Sequence, residues 1–316
     1  MKMPKLLHRG DLVAITAASG PCAPAKLEAG VRLLESLGLK VRLMPSCHAG
    51  RDYLAGTDAR RLEDLHENFA SKEVRGIFMA RGGYGSARLL PYLDYSLISR
   101  NPKIFVGYSD VTALHIALNQ ICKLITFHGP MPAADFGTGE PDPITLSSLR
   151  DNLFAGGQGV CQGDLSSASL LKTIVPGNAS GILTGGNLSL LAASLGTPYE
   201  IKTRGRVLFM EETQEPPYRV DRLFLQLKQA GKFREAAGIV LGDFSPETPE
   251  SLKIAIEELI IPENKPTISG LSCGHTTPNM TLPLGGWARI STESSHQLEI
   301  RARPGTSSGH RRPSQP

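Results

Sequence analysis

The sequence holds little that points to metal, membrane or nucleic acid. Its five cysteines, Cys22, Cys47, Cys122, Cys161 and Cys273, include no C-x-x-C pair and no zinc-ligand spacing. An odd, scattered set in a chain of 316 residues reads as reduced thiols, which predicts a cytoplasmic protein. No stretch approaches the roughly 18 apolar residues that would span a bilayer. The opening MKMPKLLHRGDLVAITAASGP loosely mimics a leader peptide, but Arg9 and Asp11 interrupt it and Leu12 to Ala18 is only seven residues long. Export is therefore not expected. The net charge of +4 arises in the last sixteen residues, where Arg301, Arg303, Arg311 and Arg312 stand without an acid, so residues 1–300 balance. That distribution argues against a nucleic-acid-binding body. Gly 33 and Pro 23 show no period, which excludes collagen-like chains, and there is no internal repeat.

What is present is 41% hydrophobic residues, enough for about two domains of the usual 150 residues. The first third alternates short apolar runs with helical patterns, as a parallel sheet covered by helices does. Leu12 to Thr16, Val41 to Leu43, Gly76 to Ala80 and Lys103 to Val106 are the expected strands. A helix from Pro24 carries Leu27, Val31, Leu34 and Leu37 on one face, and Asp58 is placed to cap another with Leu62, Leu65 and Phe69 buried. From about Pro130 to Gly181 the pattern weakens through FGTGEPDP, AGGQG and DLSSAS, which predicts a linker over residues 136–180. A second domain then covers 181–303, with strands at 206–210, 238–241, 281–284, 287–291 and 297–301 and a helix from Tyr218. The expected sheet is partly antiparallel. Residues 304–316, with almost nothing to bury, are expected to be disordered.

Three stretches could carry chemistry. In Ile104-Phe105-Val106-Gly107-Tyr108-Ser109-Asp110-Val111 an apolar strand turns into a helix at a serine, whose hydroxyl would stand clear of the sheet. The next backbone N–H, on Asp110, lacks an intrahelical partner there and could stabilise an oxyanion. Val111 replaces the second glycine of the G-x-S-x-G elbow, and a plain capping role for Ser109 is the competing reading. Arg81-Gly82-Gly83-Tyr84-Gly85 follows the third strand, at the sheet edge where ligands of such folds bind. Its glycines offer a second oxyanion donor or simply a tight turn. They lack the G-x-G-x-x-G spacing and do not follow the first strand, so no nicotinamide cofactor is expected. In the second domain Glu211-Glu212 ends an apolar strand, and His275 follows a glycine in a turn-rich stretch. Ser109, Glu211 and His275 could meet only at a domain interface.

These blocks together resemble the LD-carboxypeptidase family of serine peptidases. RGGYG at 81–85, the run from Asn101 to Leu114, His128-Gly129-Pro130, Gly185-Gly186-Asn187-Leu188 with Leu195-Gly196-Thr197, Leu208 to Glu212 with Tyr218 to Arg222, and Gly274-His275 occur in family order. The resemblance runs from about Gly10 to Arg301. It implies an α/β fold, with a doubly wound parallel-sheet N-terminal domain over residues 1–135 and a smaller β-rich C-terminal domain, assembled as a homodimer. It also implies a cytoplasmic enzyme of cell-wall recycling, without metal or cofactor, that removes the terminal D-alanine of muropeptide tetrapeptides. By position Ser109 is then the nucleophile, His275 the general base and Glu211, in preference to Glu212, its orienting acid. Asp110 with Gly82 or Gly83 would form the oxyanion hole. A carboxypeptidase must also hold a free carboxylate, for which Arg81, Arg219 and Arg222 are the candidates. Two rival readings are a microcin C self-immunity peptidase acting on acyl nucleotide amides, and a non-catalytic binding protein. An aromatic residue stacked on a nucleobase would distinguish the first, and the only tryptophan, Trp287, reads as a core residue.

Overall fold

The computed structural model describes residues 1–137, 140–156, 160–161, 171–248, 250–294 and 297–302. The tail at 304–316 and the DLSSAS stretch lie outside them.

The first half builds β1 (Leu12–Thr16), α1 (Pro24–Ser36), β2 (Lys40–Leu43), α2 (Asp58–Ala70), β3 (Val74–Met79), α3 (Tyr95–Arg100), β4 (Ile104–Gly107), α4 (Thr112–Gln120) and β5 (Thr126–His128). The strands lie in the order β2-β1-β3-β4-β5, all parallel. Both faces are covered, so the strands read as continuous apolar runs and alternate residues feed opposite cores. Val13, Ile15, Phe78, Ile104 and Val106 pack on one side, while Ala14, Ile77, Met79 and Phe105 pack on the other. Each such phenylalanine contributes about 1.5–3 kcal/mol by leaving water. α2 begins one residue away from expectation: Thr57 accepts from the Arg60 N–H as its cap, and Asp58 instead pairs with Arg61 and Arg88. An acid in the first turn is stabilised there by the helix dipole as well.

Short α5 (Pro132–Asp135) and α6 (Pro143–Leu153) follow, so the stretch expected to be linker contains a helix. Its buried face is Thr145, Ser148, Leu149, Asn152 and Leu153, which is mostly polar and hides the apolar period. A crossing segment makes use of that polarity, because the Thr145 and Ser148 hydroxyls accept the backbone N–H groups of its Asn279 and Thr281.

The second sheet takes β6 (Val160–Cys161), β7 (Lys172–Val175), β8 (Asn178–Asn187), α7 (Leu188–Ala193), β9 (Val207–Glu211), α8 (Pro217–Gln229), β10 (Gly238–Leu241) and β11 (Thr267–Ser269). The chain then crosses back: β12 (Leu282–Leu284) adds antiparallel to β5 at the edge of the first sheet. β13 (Trp287–Ser291) and β14 (Leu298–Arg301) return to the second sheet, whose order is β6-β14-β13-β8-β9-β10-β11-β7. Its centre β8-β9-β10-β11 is parallel and its margins are antiparallel. Trp287 is half-buried on β13. Every residue of α4 is buried, because Leu114 and Leu118 pack into the first core while Ile116 packs into that of the second sheet. The Asn187 N–H donates to Thr112 Oγ1 at 3.0 Å, tying β8 to the start of α4. The turn that precedes α4 therefore lies between the two halves.

Candidate active site

β4 ends at Gly107, and after Tyr108 the chain turns at Ser109 with φ 64°. A left-handed conformation costs a non-glycine residue about 1–2 kcal/mol and persists only where its surroundings enforce it. Here the enforcement is visible. The Asp110 carboxylate is buried and accepts from Ser19 Oγ at 2.6 Å, the Ser86 N–H at 2.8 Å and the Gly85 N–H at 3.3 Å, and the Ser86 hydroxyl donates to the Asp110 carbonyl. These bonds fasten the Arg81–Gly85 loop, which follows β3, and the loop after β1 to the serine turn. Gly82 lies against Ser109, and its own carbonyl accepts the Gly20 N–H at 3.2 Å. Ser109 does not cap the helix; its Oγ lies 3.1 Å from Nε2 of His275.

Glu211 is the last residue of β9 and fully buried; its Oε2 lies 2.8 Å from His275 Nδ1. The adjacent Glu212 points elsewhere, accepting from Asn187 Nδ2 and the Ser189 N–H, both at 2.8 Å, and so anchors the start of α7. This alternation is the ordinary consequence of strand geometry, which sends neighbouring side chains to opposite faces. His275 sits in the loop between β11 and β12. Gly274, at φ 100°, brings the backbone against Glu211 so closely that a Cβ there would collide with the carboxylate. The Tyr108 ring meets the His275 ring edge-on at 4.9 Å between centroids.

Burial pulls the His275 pKa down, but the hydrogen bond and charge of Glu211, joined by Glu212 and Asp135, outweigh it and hold the imidazole above its ordinary value. With Nδ1–H donated to Glu211, Nε2 is free to accept the Ser109 proton. Burial pushes the Glu211 carboxyl upward, opposed by donors from the His275 ring and backbone.

Beside His275 opens a cleft of about 650 Å³, walled by Tyr108, Asp135, Glu140, Asp142, Thr145 and Asn279 among others. Arg81, Arg219 and Arg222 are not among its lining residues. Arg81 reaches back to the Pro21 carbonyl at 3.2 Å, next to Gly82. Arg219 is paired with Glu215 at 3.2 Å, and Arg222 lies 5.9 Å from the Tyr218 ring. Ser19, Ser86, Tyr108, Asp135 and Asn279 were not singled out from the sequence. Ser19 and Ser86 carried a weak positional signal, each lying in the stretch that follows a strand; Asp135 and Asn279 carried none, since the bond that joins them spans 144 residues.

A serine, a histidine and a buried carboxylate in hydrogen-bonded series at the carboxyl edge of a parallel sheet form the arrangement that serine hydrolases use. Comparison with known proteins narrows this class. Residues 13–129 match the LD-carboxypeptidase N-terminal domain and residues 180–290 the LD-carboxypeptidase C-terminal domain. The chain belongs to the LD-carboxypeptidase family and is a serine-type carboxypeptidase. It is 43% identical over 295 residues to the "Probable murein peptide carboxypeptidase" of Bacillus subtilis (strain 168), covering 92% of this chain and 91% of that one. The muramoyltetrapeptide carboxypeptidase of Oxalobacter formigenes superposes with a TM-score of 0.79 at 29% identity, over 93% of this chain and 100% of that one. The self-immunity protein MccF, solved with glutamyl sulfamoyl guanosine, superposes with a TM-score of 0.84 at 27% identity, over 94% and 98%.

Proposed function

We propose that this protein removes the terminal D-alanine from muropeptide tetrapeptides through an acyl-enzyme on Ser109. The observation that carries the proposal is the unbroken series Ser109–His275–Glu211, whose histidine lines the cleft. His275 Nε2 takes the hydroxyl proton as Ser109 Oγ attacks the scissile carbonyl carbon, and Glu211 stabilises the imidazolium that forms. The backbone N–H of Asp110, with that of Gly82 or Gly83, holds the oxyanion; one such donor is worth about 3–4 kcal/mol in the transition state. His275 returns the proton to the departing amine, and the C–N bond breaks. Water, deprotonated by the same imidazole, then releases the shortened peptide and restores Ser109. The residues to about 135 supply the nucleophile and those from 181 to 303 supply acid and base. This chemistry needs no metal.

The wall of the cleft favours a muropeptide over an acyl nucleotide. Asp135, Glu140 and Asp142 face it, and among the described residues no lysine or arginine lines it, so a chain bearing an ammonium fits better than a phosphate. Arg81, beside the glycine that touches Ser109, is our candidate for the terminal carboxylate. The cytoplasmic setting and the homodimer come from the family resemblance; among the described residues no helix is long and apolar enough to cross a membrane. The test is mass-spectrometric release of D-alanine from a purified tetrapeptide. Wild-type protein should release one alanine, with or without EDTA, and Ser109→Ala should release none. Release by Ser109→Ala would dismiss the nucleophile, and no release by wild type would send the search to aminoacyl nucleotide amides.

A further inference from the structure

His275 belongs to a loop, and a catalytic base on a loop needs something to fix its distance from a nucleophile carried by the other half of the molecule. The side chain of Asn279, only 2% exposed, does this on both sides. Its Oδ1 accepts the N–H of Gly274, the residue before His275, at 2.9 Å. Its Nδ2 donates to Asp135 Oδ1, also at 2.9 Å, on α5 of the first half. Asp135 Oδ2 is held by the Met131 N–H at 2.8 Å, and its Oδ1 lies 3.4 Å from the hydroxyl of Tyr108. Tyr108 is the chain neighbour of Ser109. The contacts therefore close a ring: Ser109, Tyr108, Asp135, Asn279, Gly274, His275 and back to Ser109 at 3.1 Å.

We propose that Asn279 is a positioning residue, whose amide couples the His275 loop to the nucleophile turn through Asp135 and sets the Ser109–His275 distance. An amide meets both demands at once and at any pH. Its carbonyl takes the Gly274 proton while its NH2 gives one to a carboxylate. A carboxylate in its place would face Asp135 acceptor to acceptor, and alanine would leave the buried Gly274 N–H without its acceptor and take one donor from the Asp135 carboxylate. The proposal rests on the triad assignment above, and it adds a residue whose side-chain hydrogen bonds go to Gly274 and Asp135.

The first variant to make is Asn279→Asp. Its kcat should fall about 10²-fold at pH 8, the scale expected for a misplacement of about 1 Å, with KM nearly unchanged. The loss should shrink as the pH falls and the paired carboxyls at 135 and 279 retain one proton between them. The other titratable groups lining this cleft are Tyr108, Glu140, Asp142 and His275. The double exchange Asp135→Asn with Asn279→Asp restores donor opposite acceptor, and should recover most of the lost kcat and the wild-type pH profile. Should Asn279→Asp not fold, Asn279→Ser is milder, leaving the loop intact but out of reach of Asp135, and should lose about five-fold or more in kcat. Wild-type kcat in either folded single variant, or a folded double exchange no better than Asn279→Asp, overturns the proposal. Activity in Ser109→Ala would instead sink the triad assignment and the latch with it, so the two failures are distinguishable.

Discussion

Gly82 and Ser109 are apposed so tightly that a Cβ built on Gly82 would lie 2.7 Å from both Cβ and Oγ of the serine. No real pair of side chains occupies that space, so the loop after β3 and the nucleophile turn fit together only because position 82 carries a hydrogen. Gly82→Ala should move Ser109 out of line with His275 and lower kcat about 10²-fold. The rate of labelling by a fluorophosphonate, which reports the serine and not the bound peptide, should fall in parallel. Full labelling at the wild-type rate would mean that the apposition has no bearing on Ser109.

The acid limb of the pH profile follows from the role proposed for His275 as base. The base works only when neutral, so kcat/KM is lost as the pH falls through its pKa, and Glu211 holds that pKa above the ordinary 6.5. The midpoint should therefore lie above 6.5. Glu211→Gln removes the charge and leaves the burial that pulls the imidazole down, so the midpoint should move to lower pH while kcat falls about 10⁴-fold from the misdirected ring. The same substitution at Glu212, which binds Asn187 and the start of α7, should change stability more than the midpoint. A midpoint that stays put in Glu211→Gln would contradict the pairing.

Beneath the site, His115 is fully buried between the Gly107 carbonyl and Thr126 Oγ1, both at 2.8 Å, and burial pulls its pKa from 6.5 to about 4. Between those values the unfolded chain binds a proton that the folded one refuses, so stability is complete above 6.5 and falls as the pH drops toward 4. The shift corresponds to about 3 kcal/mol. His128, also driven down by burial and then by His115 and His275, adds a loss in the same direction. Urea unfolding at pH 7 and pH 4.5 measures the slope. His115→Gln should flatten it, and an unchanged slope would show that other groups carry the acid sensitivity.

The residues whose neighbours are close in sequence were legible. Strands such as Ile104 to Val106 are buried on both faces and spell themselves out as apolar runs, and the serine after them marks a strand-to-helix turn by its position alone. Glu211 was distinguishable from Glu212 only through family order, since strand alternation puts one toward the base and the other away without saying which. The helix at Pro143–Leu153 was hidden because its buried face is polar, and it is polar because Asn279 and Thr281 need acceptors. Asp110 was read for its N–H, whereas its carboxylate gathers Ser19, Gly85 and Ser86. Such long-range polar satisfaction leaves no period in a sequence.

That carboxylate cluster gives its own expectation. Ser19→Ala removes a 2.6 Å hydrogen bond to a buried charged group, a loss of about 1.5–3 kcal/mol. Asp110 retains the two backbone donors, so the protein should fold with a lower Tm and keep measurable turnover. Asp110→Asn places an NH2 against donors and should cost more in both. Equal Tm values for Ser19→Ala and wild type in calorimetry would show the Ser19 bond to be immaterial.

The free carboxylate of the substrate needs a fixed cation, and the cleft wall beside His275 supplies acids instead. Arg219 is engaged by Glu215 and Arg222 lies over Tyr218, whereas Arg81 donates to the Pro21 carbonyl, meets no acid among the described residues and adjoins Gly82. A guanidinium there would pair with the terminal carboxylate when the scissile carbonyl rests against Ser109, as the one-residue reach of a carboxypeptidase demands. Arg81→Ala should raise KM for a free-acid tetrapeptide about tenfold or more while leaving KM for the corresponding amide unchanged, because the amide offers no charge to lose. Arg219→Ala and Arg222→Ala should raise neither. If KM rises equally for acid and amide in Arg81→Ala, Arg81 shapes the loop and the carboxylate is held by other donors.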